Sequence, residues 1–513
     1  MCKRRKNILN KGRRYDEPKL NLKKVFAVII LFIVIIMFII MLMGILDGDE
    51  TEENITSMDY FAAYQNNKWG VIDSNGNIVI DPSYAEMIIV PNSKKEVFLC
   101  TFDVNYDDGT YKTKALNSKN EEIFANYEQI EAIQNIDENK NLSYETQVLK
   151  VQSGGKYGLI NMEGNEILPC EYDEIIALQG VEGALLVFKD GNYGVVNDAG
   201  KTLIPASYAE IQSLGDEASQ GFIVRNIEGK YGIVDISNEQ VLAMNYEGIN
   251  KIHQEDYYVV TEGGKQVVIK KDGTEVLNGD YDEIVAILKN PENGVIYKKS
   301  EKYGVMSLNG EIKINAEYEE LLEAKTGTFI AKTGEKFGII DLAGEKKVDF
   351  KYRGITYNEK ADLYVAEDEN YNNEILNSNY EVKLTGMVTD LDDEDGYIEI
   401  RQGDEYKYYN FRFEEEKESD IFTSNTLFVS KKDGKYGFVD KEGNIVVDYI
   451  YDDATSQNAF GYAGIKKDGK WGSIDRSGKI IQEPTYDLED YLQVDFIGSW
   501  YLGKDLNMNY YRK

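Results

Sequence analysis

A chain of 513 residues is too long for one ordinary hydrophobic core, so it divides into domains or into a repeat array. Its 42% apolar and 29% charged residues are those of folded material, and 38 tyrosines argue against a disordered chain. The net charge of −33 is unevenly spread: the first 46 residues hold ten Lys or Arg against two acids, which leaves 47 basic and 88 acidic side chains beyond them, a field that repels phosphate backbones and excludes nucleic acid as a partner of that part.

Residues 1–24 form a basic tail carrying Lys3, Arg4, Arg5, Lys6, Lys11, Arg13, Arg14, Lys19, Lys23 and Lys24. Residues 25–46 follow without a charge, and at helical rise this apolar run is long enough to cross a bilayer as one transmembrane α-helix. The apolar part of a secretory leader is only about 7 to 15 residues and ends at a small-x-small site. Met43-Gly44-Ile45-Leu46-Asp47 offers no such site, so the segment reads as an uncleaved anchor in the lipid bilayer. Excess positive charge before it and acids after it place the N-terminus in the cytoplasm and the chain from residue 47 outside. Cys2, beside the basic run, is a candidate for acylation. Residues 47–57 are acidic, without hydrophobic period, and read as a juxtamembrane linker.

From 58 to 494 the sequence repeats about every 35 residues, and a period of that size dictates the fold before any local reading. Clear copies open on an aromatic followed by glycine: Trp69-Gly70, Tyr157-Gly158, Tyr193-Gly194, Tyr231-Gly232, Tyr303-Gly304, Phe337-Gly338, Tyr436-Gly437 and Trp471-Gly472, seven of the eight preceded by Lys. Lys265-Gln266-Val267 opens a copy that has lost both features, and weaker ones start near Tyr111, Tyr371 and Tyr406, about twelve units in all. Repeat boundaries blur at residues 105–130 and 360–425.

Each unit predicts antiparallel structure. Ala184–Phe188 leads through an Asp190-Gly191 turn into Tyr193–Val196, a hairpin. The second strand ends in Asp or Asn with Gly three residues on, as in Asp73 with Gly76, Asn161 with Gly164, Asn197 with Gly200, Asp341 with Gly344, Asp440 with Gly443 and Asp475 with Gly478. There the Asx side chain can bond the backbone two residues on while Gly takes positive φ. A third strand is expected to stop at Pro82, Pro169, Pro205 and Pro484, since proline cannot donate to a ladder. Beyond it come Tyr, an acid and an aliphatic, as in Tyr172-Asp173-Glu174-Ile175 and Tyr281-Asp282-Glu283-Ile284. The Tyr and Ile are expected to pack between units, with the carboxylates in water. The aromatic fills a core layer and its glycine permits close backbone approach or marks a bulge.

The pattern aromatic-Gly, Asp/Asn-x-x-Gly, Pro-x-x-Tyr-acid-x-Ile resembles the WG (KWG) repeat family over nearly the whole region after the linker. That family is mainly bacterial and is regarded as repeat modules without an assigned chemistry, so the resemblance implies architecture rather than activity. The expected fold class is all-β, tandem antiparallel β-meander repeats, preceded by one transmembrane helix. Meander units close as propeller-like blades or stack as an open β superhelix; hairpin connections favour the first, although three strands are one short of a usual blade. Residues 495–513 break the repeat and are expected to cap the array.

Catalytic signals are poor. His253 is the only histidine and no nucleophile elbow surrounds it; H-E-x-x-H, C-x-x-C and Walker sequences are missing, so no cofactor, metal or enzymatic reaction is expected. Carboxylate pairs such as Asp173-Glu174 and Asp282-Glu283 recur at one repeat position, whereas a glycosidase needs one pair. Asp103, Asn105 and Asp107, and the loop around Gly396 with Asp393 and Asp395, are near misses to calcium loops. Cys100 and Cys170 read as two buried thiols or a bridge. The functional expectation is a membrane-anchored binding or scaffold module for a protein or envelope polymer, with a cell-envelope glycan hydrolase and a ligand-sensing ectodomain as alternatives.

Overall fold

One repeat shows how the rest are built. The strands Glu174–Ala177, Ala184–Lys189, Asn192–Asn197 and Thr202–Tyr208 pair antiparallel in chain order as one sheet. Asp190 and Gly191 join the middle two with φ 52° and 84°. Two successive positive φ values make the turn whose twist matches the flanking strands. Val195 and Val196 point to opposite faces and both are fully buried, because a sheet lies against each face. Val195 packs with Ile211, Phe222 and Val224 of the next repeat. Val196 packs with Val148, Leu159 and Leu168 of the previous one.

The computed structural model describes residues 60–502, apart from positions 67, 108, 137–141, 255, 278, 394, 404, 424 and 488–493. The anchor at 25–46, the linker at 47–57 and Cys2 lie outside the described residues. Among the described residues no helix is long and apolar enough to cross a membrane. They form twelve meander units, ten of them separate sheets and two sharing the long strand Val382–Asp392. Numbered along the chain, the repeat above is the fourth sheet. The second sheet (strands between Phe98 and Ile123) and the eleventh (Phe428–Lys432, Lys435–Val439, Ile445–Tyr451) have three strands.

Two expectations are corrected. The strand carrying proline does not stop there: Pro205 lies inside Thr202–Tyr208, as Pro82, Pro169 and Pro484 lie inside theirs. Register explains the tolerance, since Val195 faces Ile204 but Tyr193 faces Tyr208, so the proline sits in a bulge where no ladder donor is required. A Cβ on Gly194 would lie 2.7 Å from the Ile204 oxygen and the Ala206 nitrogen, so the bulged strand comes this close only because residue 194 is glycine. The unit also has four strands, not three, because the acid-aliphatic segment after the tyrosine is itself the first strand of the next sheet.

The Asx turns form as expected. The Asp73 carboxylate accepts the Asn75 and Asn77 amides at 2.9 Å each, and Gly76 has φ 79°. Tyr208 and Ile211 pack in one cluster across the junction of the fourth and fifth sheets.

The array closes end to end. Tyr60–Gln65 pairs with Lys68–Asp73 on one side and with Trp500–Leu502 on the other, and Phe496–Ile497 adds a fifth strand to this first sheet. Phe460 of the last repeat meets Phe61 edge-on at 5.1 Å between ring centroids. A sheet that would otherwise be a free terminus thus has both neighbours.

Candidate binding groove

The sixteen signature residues from Trp69-Gly70 to Trp471-Gly472 do not converge; each pair occupies its own sheet. A cation on the neighbouring strand covers several of the rings. Lys431 stands 4.8 Å from the Tyr436 ring centroid, Lys332 5.1 Å from Phe337, Lys466 5.6 Å from Trp471 and Lys298 5.8 Å from Tyr303. Each such contact contributes about 0.5–1 kcal/mol. On the other side each ring faces the tyrosine that ends the next strand along the chain: Trp69 with Tyr84, Tyr157 with Tyr172, Tyr193 with Tyr208, Tyr231 with Tyr246, Tyr303 with Tyr318, Phe337 with Tyr352, Tyr436 with Tyr451, Trp471 with Tyr486. The signature is therefore a packing element.

The recurrent acids have a structural use that spacing along the sequence did not reveal. Asp173 accepts from Lys156 of its own repeat and, with its other oxygen, from the Asp190 amide in the next hairpin at 3.1 Å. Glu319 does the same with Lys302 and the Gly334 amide, and Asp452 with Lys435 and the Asp468 amide. The lysine is in each case seventeen residues ahead of its acid, an offset readable in the sequence once sought. Asp282 likewise accepts the Ser300 amide at 2.6 Å.

The ninth sheet (Gly354–Asn358, Leu363–Glu367, Asn373–Leu376 and the first half of Val382–Asp392) departs from this plan. Where the eight signature repeats set a ring against a tyrosine, it sets Asn373 against Gly386. Two rings are missing from one place, and a groove occupies it. One hollow of about 460 Å³ is bounded by Thr356, Tyr357, Val365, Tyr371, Asn373 and Met387. A second, of about 390 Å³, extends toward Leu322 and Phe337 of the eighth sheet and shares Thr356, Val365, Glu367 and Asn373 with the first.

Tyr371 stands at the rim and is 62% exposed. It occupies the fourth position of the turn Asp368–Asn372, in which the Asp368 carboxylate accepts the Asn370 and Asn372 amides at 2.8 and 2.9 Å. The fifth sheet has the same turn at Asn226–Lys230, and there the position is Gly229 with φ 81°; Tyr371 has φ 64°. A bulky residue in the left-handed region costs about 1–3 kcal/mol, and such strain concentrates at functional sites. Tyr380 and Phe413 also have positive φ, but their half-buried rings pack against apolar clusters that offset it. The Tyr371 ring instead stacks on Arg353, whose guanidinium is 3.9 Å from its centroid. Arg353 in turn pairs with Glu367 at 3.0 Å, and Glu320 with Lys332 at 2.6 Å. Tyr357, on the wall, is pushed up by burial and by its 2.8 Å hydrogen bond to Asp362.

Other sequence candidates are placed apart from the groove. His253 Nδ1 lies 3.0 Å from the Lys251 oxygen and its ring stacks over Tyr258. Cys100 and Cys170 are free thiols, and burial pushes the Cys100 thiol up to about 11. Asp103 pairs with Lys112 at 2.8 Å, Asn105 accepts the Asp107 amide, and among the described residues no group of three or more His, Cys, Asp or Glu side chains is placed to hold a metal ion. The short helix Glu418–Ile421 lies between the tenth and eleventh sheets. Burial pushes its Glu418 up to about 7, with the nearby Glu399 carboxylate adding to the rise.

Fold and site together define an all-β tandem-repeat protein closed by its own ends. The WG containing repeat matches residues 69–88, 157–193, 231–265 and 436–471, so the chain carries that repeat. No curated protein matches the chain. Among solved structures it is similar to a eukaryotic initiation factor, at 9% identity over 70% of this chain and 95% of that one with a TM-score of 0.34. It is also similar to BamB from Moraxella catarrhalis, at 12% identity over 64% and 89% with a TM-score of 0.20, and to the WD40 beta propeller domain of Doa1, at 12% identity over 46% and 91% with a TM-score of 0.23.

Proposed function

We propose that the protein is a membrane-anchored binding or scaffold module, held by residues 25–46, whose repeat array stands outside the cytoplasm and takes a protein or envelope polymer. The observation that supports this best is the division of labour in the array. Recurrent acids such as Asp173 hold repeats together, and a groove lies on a repeat that lacks the signature rings. Arrays of this kind keep their core while varying the surface of one unit.

A hydrolase reading needs two carboxyls free to face one substrate. The groove carboxylates Glu320 and Glu367 are each bound to a cation of their own, Lys332 and Arg353, which favours binding over hydrolysis. Topology is tested in intact cells expressing the full chain, with a membrane-impermeant maleimide and single cysteines at Asn7→Cys or Asp468→Cys in a Cys2, Cys100 and Cys170 to Ser background. Labelling of Asp468→Cys alone is expected; labelling of Asn7→Cys alone would reverse the orientation.

A further inference from the structure

We propose that the groove of the ninth sheet binds a neutral oligosaccharide chain, an assignment that rests on the reading of the array as a binding module.

The lining has the chemistry of a sugar rather than of an ion or a lipid. Saccharides are neutral and amphipathic: their hydroxyls both donate and accept, and the C–H faces of their rings are apolar and settle on aromatic surfaces. The wall charges cancel, since Arg353 and Glu367 are paired at 3.0 Å. Asn373 uses its carbonyl oxygen to accept the Val388 amide at 2.8 Å, and its Nδ2 hydrogens have no partner among the described residues. Together with the Thr356 hydroxyl and the second Glu367 oxygen, these supply donors and acceptors over an apolar floor at Val365. The exposed Tyr371 ring gives a platform at the mouth, held in a backbone conformation that the equivalent turn reserves for Gly229.

The shape selects a chain over a single ring. The two hollows share four residues and continue into one another across the sheet face, open toward both neighbouring repeats. An extended peptide would add to a sheet edge by main-chain ladder bonds. Here the floor belongs to Leu363–Glu367 and Asn373–Leu376, which already have a strand on each side. A flat β-linked chain, which presents apolar faces above and below and hydroxyls along its rim, matches such a trough.

The test titrates the purified full chain, in a detergent without a sugar head group, with cellotetraose and chitotetraose by calorimetry. Binding of at least one with Kd on the order of 0.01–1 mM is expected. Tyr371→Gly is expected to weaken it at least tenfold without lowering the melting temperature, because glycine suits that turn. Asn373→Tyr, which restores a ring to the groove, is expected to abolish it. No binding at millimolar concentration, or unchanged affinity in both variants, overturns the proposal. A synthetic peptide that binds with the Tyr371 dependence while neither sugar does overturns the glycan assignment and leaves the binding-module reading standing. Release of shorter sugars from either tetrasaccharide overturns the binding-module reading itself.

Discussion

Asp173 is shared between two repeats: one carboxylate oxygen takes Lys156, seventeen residues back, and the other takes the amide of Asp190 in the next hairpin. Glu319 and Asp452 repeat the arrangement. These three carboxylates are therefore fastened to lysines and turn amides at the seams between sheets.

These shared carboxylates predict an acid-sensitive array. Asp173, Glu319 and Asp452 are all held below the ordinary carboxylate range, first by their lysines. A lowered folded value contributes stability that is present above the unfolded value and lost as pH falls through the folded one. The triple variant Asp173→Asn, Glu319→Gln, Asp452→Asn is expected to melt below the unmodified chain at pH 7. The gap should narrow as pH falls below the ordinary carboxylate range, about 4. Thermal melts at pH 7 and across the acid range check it.

Glycine 194 and glycine 354 are expected to respond oppositely to the same change. A Cβ at 194 collides with the bulged strand at 2.7 Å, so Gly194→Ala should cost about 2–4 kcal/mol by forced backbone movement. At 354 a Cβ meets nothing within 4 Å, and Gly354→Ala should stay within about 0.5 kcal/mol. Denaturant unfolding of the two variants measures both.

A buried polar clamp ties the third sheet to the fourth. Glu145 and Asn135 are 4% and 6% exposed. Asn135 donates to Glu145 and to the Val181 oxygen at 3.1 Å each, while Glu145 accepts the Gly183 amide at 3.1 Å. Removing Glu145 leaves the Gly183 amide and one Asn135 amide hydrogen without their bonds, while Asn135 keeps Val181. Glu145→Ala is expected to cost about 2–3 kcal/mol, and hydrogen exchange should quicken at Val181 and Gly183 before it does in the distant sheets.

Near neutrality the junction at the tenth sheet is expected to weaken as pH rises. Glu418 is pushed up to about 7 by burial, and a raised carboxyl contributes stability that is present below the unfolded value, near 4.5, and lost as pH climbs through the folded one. Phe422, which follows the short helix, packs edge-on against Tyr397 and Tyr408 at 5.5 and 5.7 Å. Between pH 5 and pH 8 the junction should lose on the order of 2 kcal/mol, and Glu418→Gln should flatten that dependence. Exchange protection of the Phe422 amide reports it locally.

Much of the repeat was legible in the sequence, because its strongest constraints are local. Asp190-Gly191, the Asp73 to Gly76 turn and the aromatic-Gly pairs each fix a few adjacent dihedrals, and residue type alone exposes them. The first strand of the fourth sheet was not legible: Glu174–Ala177 is four residues long, too short for an alternation to register. Pro205 misled because its cost depends on the register opposite it, which is a relation between strands. The groove was hidden for the same reason. Asn373 and Gly386 look like a lost pattern until their pairing shows two absent rings at one place, and Tyr371 marked only a weak repeat start until its φ was known.

Closure of the array is tested most directly by hydrogen exchange of Tyr60–Gln65 in the full chain and in a chain ending at residue 494. With Trp500–Leu502 paired to it, this strand is expected to be protected as strongly as the interior strand Asn192–Asn197 in the full chain, and to lose that protection selectively when residues 495–513 are removed. Equal exchange of Tyr60–Gln65 in the two chains would contradict a closed array.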